Sequence, residues 1–171
     1  MRIAAQDANI IIDLIECGLF EPFFRLNLEV VTTSLVLAEI TGSSQKRACQ
    51  VVVRKKWLSV VEISTRDYLR LQELNLPGLG VSDRSALELA GARRACLLTG
   101  DGRLRKAAKS SDIEVRGILW VFDRLISSGL LSKAEACLRL AKLRESNQRL
   151  PQAEIEKRLK AWSVPDSGDR P

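Results

Sequence analysis

The chain has 171 residues, 46% of them hydrophobic, and its 27 lysines and arginines against 21 acids leave a net charge of +6. That length fits one domain with a short appendage, and no apolar run is long enough to cross a bilayer. The absence of histidine excludes Ser-His and Cys-His nucleophiles, an imidazole base and any His-containing zinc site, so catalysis would fall to carboxylates, lysine or a metal.

The first residues, MRIAAQDANIIID, place two acids around their apolar stretch and offer no small-residue cleavage site. They read as a strand and a helix rather than a secretion signal, which leads us to expect a cytoplasmic protein. The spacing predicts a short strand over residues 3–6 and a helix over 8–18, with Ile11, Leu14 and Ile15 on one face and Gly18 as its C-terminal cap. A β-branched strand follows at 28–32. Ser34 caps a helix over 35–40, and Gly42, Ser43 and Ser44 break it.

Residues 45–56 form a basic helix, interrupted in propensity by Val51, Val52 and Val53. A strand is expected at 57–63, a helix at 65–74, and a loop at LNLPGLG. A helix with Ala86 and Ala90 on a small-residue face covers 83–95. It leads into a buried strand at 96–99 and a helix over 102–109 marked by Leu104 and Ala108. The last strand is expected at 113–115, followed by an apolar helix over 117–128 that Gly129 ends. Ser132 to Glu135 reads as a capping box for a helix to about residue 145, and Pro151 opens a final helix to about 162.

Alternating strands and helices through residue 128 predict an α/β fold, a three-layer α/β/α sandwich with a central parallel sheet and a C-terminal helical extension. The expected boundaries are 1–130 for the α/β domain, 131–162 for a helical pair packed on it or extending it, and 163–171 for a disordered tail. Cys17, Cys49, Cys96 and Cys137 are scattered, with no C-x-x-C pair, and read as small buried hydrophobes.

In such sheets the site lies beyond the carboxyl ends of the strands. Asp7 follows the first strand, Glu39 lies one short helix past the second, Asp83 opens the helix before the fourth, and Asp101 ends the fourth. Taken singly, Asp83 and Asp101 read as helix caps, Glu39 as a solvated helix acid and Asp7 as a turn residue. Taken together they converge if their strands are neighbours. Two carboxylates about 4 Å apart repel by roughly 4 kcal/mol at an effective dielectric of 20, so a converging set shares a proton or binds a cation. An all-oxygen set suits Mg²⁺ or Mn²⁺. Asp13, Asp112 and Asp123 lack this placement and read as surface or capping acids. Arg103, Arg105 and Lys106 follow Asp101 directly.

Three stretches carry a resemblance to a known family. DANIIIDL, VLAEI and SDRSALELAGARRACLLTGDGRLRKAA, starting at Asp7, Val36 and Ser82, resemble the acid-bearing motifs of the PIN-domain family of metal-dependent ribonucleases. GILWVFDRLISSGLLSKAEACLRLAKLRE, from Gly117, extends the likeness to small prokaryotic members with extra C-terminal helices. Where that subgroup often has Gly-Glu, this chain has Ser82 and Asp83. Where many members carry a further acid past the last Asp, it has Gly102, Arg103 and Arg105.

The resemblance implies that Asp7, Glu39, Asp83 and Asp101 are catalytic, with Asp7, Asp83 and Asp101 among the ligands of Mg²⁺ or Mn²⁺. It implies that Asn9 and Thr99 support them by hydrogen bonding and that Arg103, Arg105 and Lys106 meet substrate phosphates. The implied activity is an endoribonuclease, the toxin half of a toxin–antitoxin pair, with RNA as substrate, a small antitoxin as partner, a homodimer as assembly and no membrane association. The alternative is a PIN-like module that binds RNA or protein without cutting. A phosphoacceptor receiver domain fits poorly, since AAQDAN supplies only one acid at the end of the first strand.

Overall fold

The computed structural model describes residues 2–163, and the side chains from Asp7 onward. In chain order the elements are β1 (Arg2–Gln6), α1 (Ala8–Glu16), α2 (Phe20–Phe24), β2 (Glu29–Thr33), α3 (Ser34–Ala38), α4 (Ser43–Arg54) and β3 (Leu58–Val61). They continue with α5 (Thr65–Glu73), α6 (Val81–Arg93), β4 (Cys96–Leu98), α7 (Gly102–Ser110), β5 (Val115–Arg116), α8 (Ile118–Ser127), α9 (Lys133–Ser146) and α10 (Gln152–Trp162).

All five strands are parallel, in the order β3-β2-β1-β4-β5. The chain winds outward from β1 in one direction through β2 and β3, then returns to add β4 and β5 on the other side. The crevice between β1 and β4 is thus the switch point where sheets of this kind carry their sites. Pairing of β1 with β4 slips one residue between Ala4 and Gln6, and the Asp7 amide then donates to the Leu98 carbonyl at 3.1 Å. This irregularity brings the segments carrying Asp7 and Thr99 side by side.

Central strands covered on both faces run apolar or β-branched without alternation, as Val30, Val31, Thr32 and Thr33 do in β2 and Cys96, Leu97 and Leu98 in β4. Helix α6 lies across β1, β2 and β4, flanked by α3, α5 and α7, while α1 packs on β1 beside α4 and α8. The result is the three-layer α/β/α sandwich expected from the alternation of elements. Ile10, Ile11 and Leu14 of α1, Leu104 and Ala108 of α7, and Val121, Phe122 and Leu125 of α8 are all fully enclosed in one core.

Several boundaries differ from the pattern-based expectation. Gly42 does cap a break, but Ser43 and Ser44 already belong to α4, because exposed serines are tolerated in a first helical turn. The valine triplet sits inside that helix, with Val52 buried and Val51 exposed, so tertiary packing overrides its weak propensity. Helix α2 was hidden by the proline in FEPFF, which occupies the first turns, where a missing amide is tolerated. The last strand lies at Val115–Arg116, displaced because Asp112 adopts φ +53 and Ile113 is bonded back to Ala108. Cys17, Cys49 and Cys96 are buried, whereas Cys137 is half-buried on α9.

The C-terminal helices share this core. Ala136, Leu140 and Leu143 form the buried stripe of α9, Ile155 anchors α10, and the Trp162 ring stacks on Phe122 at 6.0 Å. Arg139 of α9 donates to the Cys17 and Gly18 carbonyls at 2.9 and 3.1 Å, capping the C-terminal end of α1 with a cation. Among the described residues no helix is long and apolar enough to cross a membrane. The tail expected at 163–171 lies, apart from Ser163, outside the described residues.

Because Ile155 is fully buried in the common core, Ile155→Ala should lower the stability of the whole molecule by about 2–4 kcal/mol. Urea denaturation should show one transition, shifted to a lower midpoint with an unchanged slope. A separate early transition for α10, with the main midpoint unmoved, would show that it is an independent appendage.

Candidate active site

Asp7 is the N-cap of α1, fixed by two hydrogen bonds. Its Oδ1 accepts from the Asn9 amide at 2.9 Å and its Oδ2 from the Thr99 hydroxyl at 2.8 Å, in a setting only 4% exposed. Thr99 Oγ1 in turn accepts from the Asp101 amide at 3.0 Å. One hydroxyl therefore couples the end of β1 to the end of β4. Asp101 caps α7 through its Oδ1, which accepts from the Leu104 amide at 2.8 Å. The conflict between cap and site residue dissolves here, since each aspartate uses its capping bonds to fix its remaining oxygen lone pairs in direction.

The other two acids come from the α3 and α6 side. Glu39 is the C-cap of α3 and exposed; its Oε1 accepts a short hydrogen bond from the Ser82 hydroxyl. Asp83, on the first turn of α6, accepts from the Gly80 amide at 3.0 Å through Oδ2. Burial pushes the Asp83 carboxyl above its ordinary range, the Gly80 amide partly offsets this, and the charges of Asp7, Glu39 and Asp101 raise it further. Asp83 therefore lies near enough to the other three predicted acids to feel their charges. None of them has a lysine or arginine partner among the described residues.

Two supports were not singled out from the residues. Ser82 holds Glu39, and its carbonyl accepts from Ser85 at 2.7 Å. The Ser85 hydroxyl has one proton, so Thr33 donates to Ser85 across their 2.8 Å contact, tying α6 to the end of β2. Arg84 gathers the loop before α6, donating to the carbonyls of Leu71, Gln72, Leu76 and Leu79. A serine-rich first turn and an arginine beside a Gly-Pro loop were the visible signals.

The supporting and basic residues divide differently from the expectation. Thr99 bonds Asp7 through its side chain, but Asn9 does so through its backbone amide, and its side chain is exposed beside the pocket. Of the basic trio only Arg105 lies beside Asp101, with its Nη1 donating to the Thr99 carbonyl at 3.0 Å. Arg103 turns to the Gly78 carbonyl at 3.4 Å, and Lys106 faces an adjoining depression with Lys109, to which Gly102 and Arg105 also contribute. A helix rotates successive side chains by about 100°, so three consecutive-looking charges cannot share one face.

Asp13 is a plain correction. Expected at the surface or as a cap, it is 7% exposed, one turn past Asn9 on the same side of α1. Asn147, after α9, donates to both of its oxygens at 3.1 and 3.0 Å. Its i, i+4 relation to Asn9 was the overlooked signal. Asp123, by contrast, pairs with Arg158 at 2.8 Å on the surface of α8.

The donor set is all oxygen, as a hard divalent ion requires. Among the described residues no three acids form a ready-made cage. Mg²⁺ does not need one, since it retains several waters and takes one or two carboxylates. Asp83 Oδ1, Asp101 Oδ2 and Glu39 Oε2 accept no hydrogen bond among the described residues and are the oxygens available to it. The residues present fit such an ion.

Comparison with known proteins gives one match. A family model described as a PIN domain covers residues 3–164, nearly the whole described chain and both C-terminal helices. No curated protein and no solved structure matches.

Burial raises the Asp13 carboxyl from its ordinary 3.8 to about 6, with Glu16 and Asp7 adding to the shift and Asn147 and Arg149 opposing it. The folded protein therefore holds a proton on Asp13 that the unfolded chain releases near pH 4. Stability falls as pH rises from about 4 to 6 and the deficit persists above that window. Asp13→Asn should be more stable than the parent at pH 7.5 by on the order of 1–2 kcal/mol, with the gain vanishing toward pH 4. Urea midpoints at the two pH values check this; an equal gain at both would contradict it.

Proposed function

The chain belongs to the PIN-domain family, a nuclease-type fold, and on that premise we propose that it is a Mg²⁺- or Mn²⁺-dependent endoribonuclease. One observation carries the reading. Asp7 and Asp101, at the ends of neighbouring β1 and β4 and without a basic partner among the described residues, are joined through the Thr99 hydroxyl, and Asp83 feels the charges of Asp7, Glu39 and Asp101. Carboxylates so placed share a proton or bind a cation, and an all-oxygen donor set suits the cation.

When bound, the divalent ion supplies a more acidic water and a counter-charge for the phosphate. The protein's own part follows from its hydrogen bonds. Asp7, immobilised on both oxygens, orients its free lone pairs; Asp101 and Asp83 keep one unbonded oxygen each. Arg105 keeps further N–H groups beyond its bond to Thr99, enough to hold a non-bridging phosphate oxygen by a charge-assisted bond. Water then attacks phosphorus in line with the leaving oxygen, and no covalent enzyme intermediate forms.

Within this reading the protein is the toxin of a toxin–antitoxin pair, active in the cytoplasm, restrained by a small protein that covers the acidic edge. A homodimer fits the outer face of the C-terminal helices, where Leu138 is 74% exposed. A second reading has a specific observation behind it. No ready-made cage exists among the described residues, and Gly102, Arg103 and Arg105 follow Asp101 where a further acid would serve a second ion. A module that binds RNA without cutting answers to that.

Incubation of labelled RNA with the pure protein and Mg²⁺ separates the two. Cleavage should fall by at least about 100-fold in Asp7→Asn and Asp101→Asn, and Thr99→Val should weaken Mn²⁺ binding by about 10- to 100-fold. RNA that is bound but left intact by the parent protein supports the non-cutting module, and equal cleavage by all three proteins overturns the assignment.

A further inference from the structure

Helix α7 carries more positive charge than its own stability accounts for. Arg103, Arg105, Lys106 and Lys109 fall within its nine residues, which include no acid. Arg103 and Arg105 stand near its N-terminus, where the positive end of the helix dipole disfavours cations. Like charges four positions apart, as Arg105 and Lys109 are, repel each other as well. No acid relieves them, since Arg105, Lys106 and Lys109 have no ion pair among the described residues.

Burial of Leu104 and Ala108 fixes which way the rest of the helix faces. With about 100° between successive residues, Gly102, Arg105, Lys106, Lys109 and Ser110 share the outer arc. Arg103 falls outside it and bonds the Gly78 carbonyl. The five residues on the arc line a depression of about 510 Å³ with three cations and no carboxylate. Gly102 keeps it open: a Cβ there would meet no atom within 4 Å, so the missing side chain leaves room and relieves no clash. Arg105 lies both here and beside Asp101, and its only hydrogen bond is to the Thr99 carbonyl. Lys109 follows it by four residues, about 6 Å along the helix axis. The charges thus form a row that begins beside Asp101.

We propose that this face of α7 docks the phosphodiester backbone of RNA, with Arg105 on a phosphate beside Asp101 and Lys106 and Lys109 on the phosphates that follow. Unpaired cations around a position without a side chain suit an anionic polymer that approaches the helix closely. RNA as the occupant rests on the proposed function; the surface rests on the charges alone. Phosphate contacts carry no base information, so this surface sets affinity and direction and leaves sequence choice to other residues.

Fluorescence anisotropy with a labelled ten-nucleotide RNA tests this in full-length Asp7→Asn protein with Mg²⁺, where turnover is blocked. Lys106 and Lys109 are exposed, so their replacement leaves the fold intact. Lys106→Ala and Lys109→Ala should each weaken binding by about 3- to 10-fold and lower the slope of log affinity against log salt by about 0.7. Lys109→Arg should bind like its background, and Lys109→Glu should lose more than Lys109→Ala. Arg54→Ala removes the same charge from the end of α4, the other acid-free basic helix, and should leave affinity unchanged. In the cleaving protein Lys109→Ala should raise KM by the same factor and leave kcat in place, as loss of uniform binding does. Unchanged binding in the Lys106→Ala, Lys109→Ala double variant, or an equal loss in Arg54→Ala, overturns the surface. A DNA strand of the same sequence bound more tightly than the RNA overturns RNA as its occupant. If the parent cleaves while the lysine variants bind normally, the nuclease reading stands and the surface falls. If the parent binds through these lysines and never cleaves, the surface stands and the nuclease reading falls.

Discussion

Carboxylates brought to the open edge of the sheet are the constraint on which the proposed site depends. Burial first, and then the charges of Asp7, Glu39 and Asp101, push the Asp83 carboxyl upward, and none of the four acids has a lysine or arginine ion pair among the described residues. A fold tolerates such crowding when each charge is held by directed donors and a cation completes the balance. The donors are present: the Asn9, Gly80 and Leu104 amides and the Thr99 and Ser82 hydroxyls each fix one acid. Much of the local hydrogen bonding near the switch point serves this purpose.

The same acids are also helix caps, and this economy explains their rigidity. Asp7 begins α1 and Asp101 begins α7, so moving either carboxylate breaks a capping bond and leaves a first-turn amide unsatisfied. On the opposite side the site depends on less regular structure. Arg84 stitches the loop before α6 to that helix, Thr33 and Ser85 tie the end of β2 to the Ser82 carbonyl, and the Ser82 hydroxyl holds Glu39. At the far end, Arg139 and Asn147 fasten α9 and its exit turn onto α1, which makes the C-terminal helices part of the wall around the site. Their match to the same family model over residues 3–164 agrees with that continuity.

The layers of the fold were legible because buried parallel strands and amphipathic helices carry different periods, and β2, β4, α7 and α8 follow them plainly. The neighbourhood of the acids was legible once strand ends were known to carry sites. What pattern left out was geometry at the level of a single turn. Helical rotation sends Arg103 and Arg105 to different partners, a fact no count of basic residues contains. Asp13 is buried because its partner lies 134 positions away, on an element whose packing no local motif specifies. Helix α2 escaped notice because a proline reads as a break until its place in the first turn is known.

The central claim, that an ion reconciles the four acids, has a direct physical consequence at the acids themselves. Isothermal titration of the full chain with Mn²⁺ reads that binding directly. Saturable binding, lost when Asp83 is replaced by Asn, is the result this account predicts. No saturable heat in the parent protein up to millimolar Mn²⁺ would contradict it.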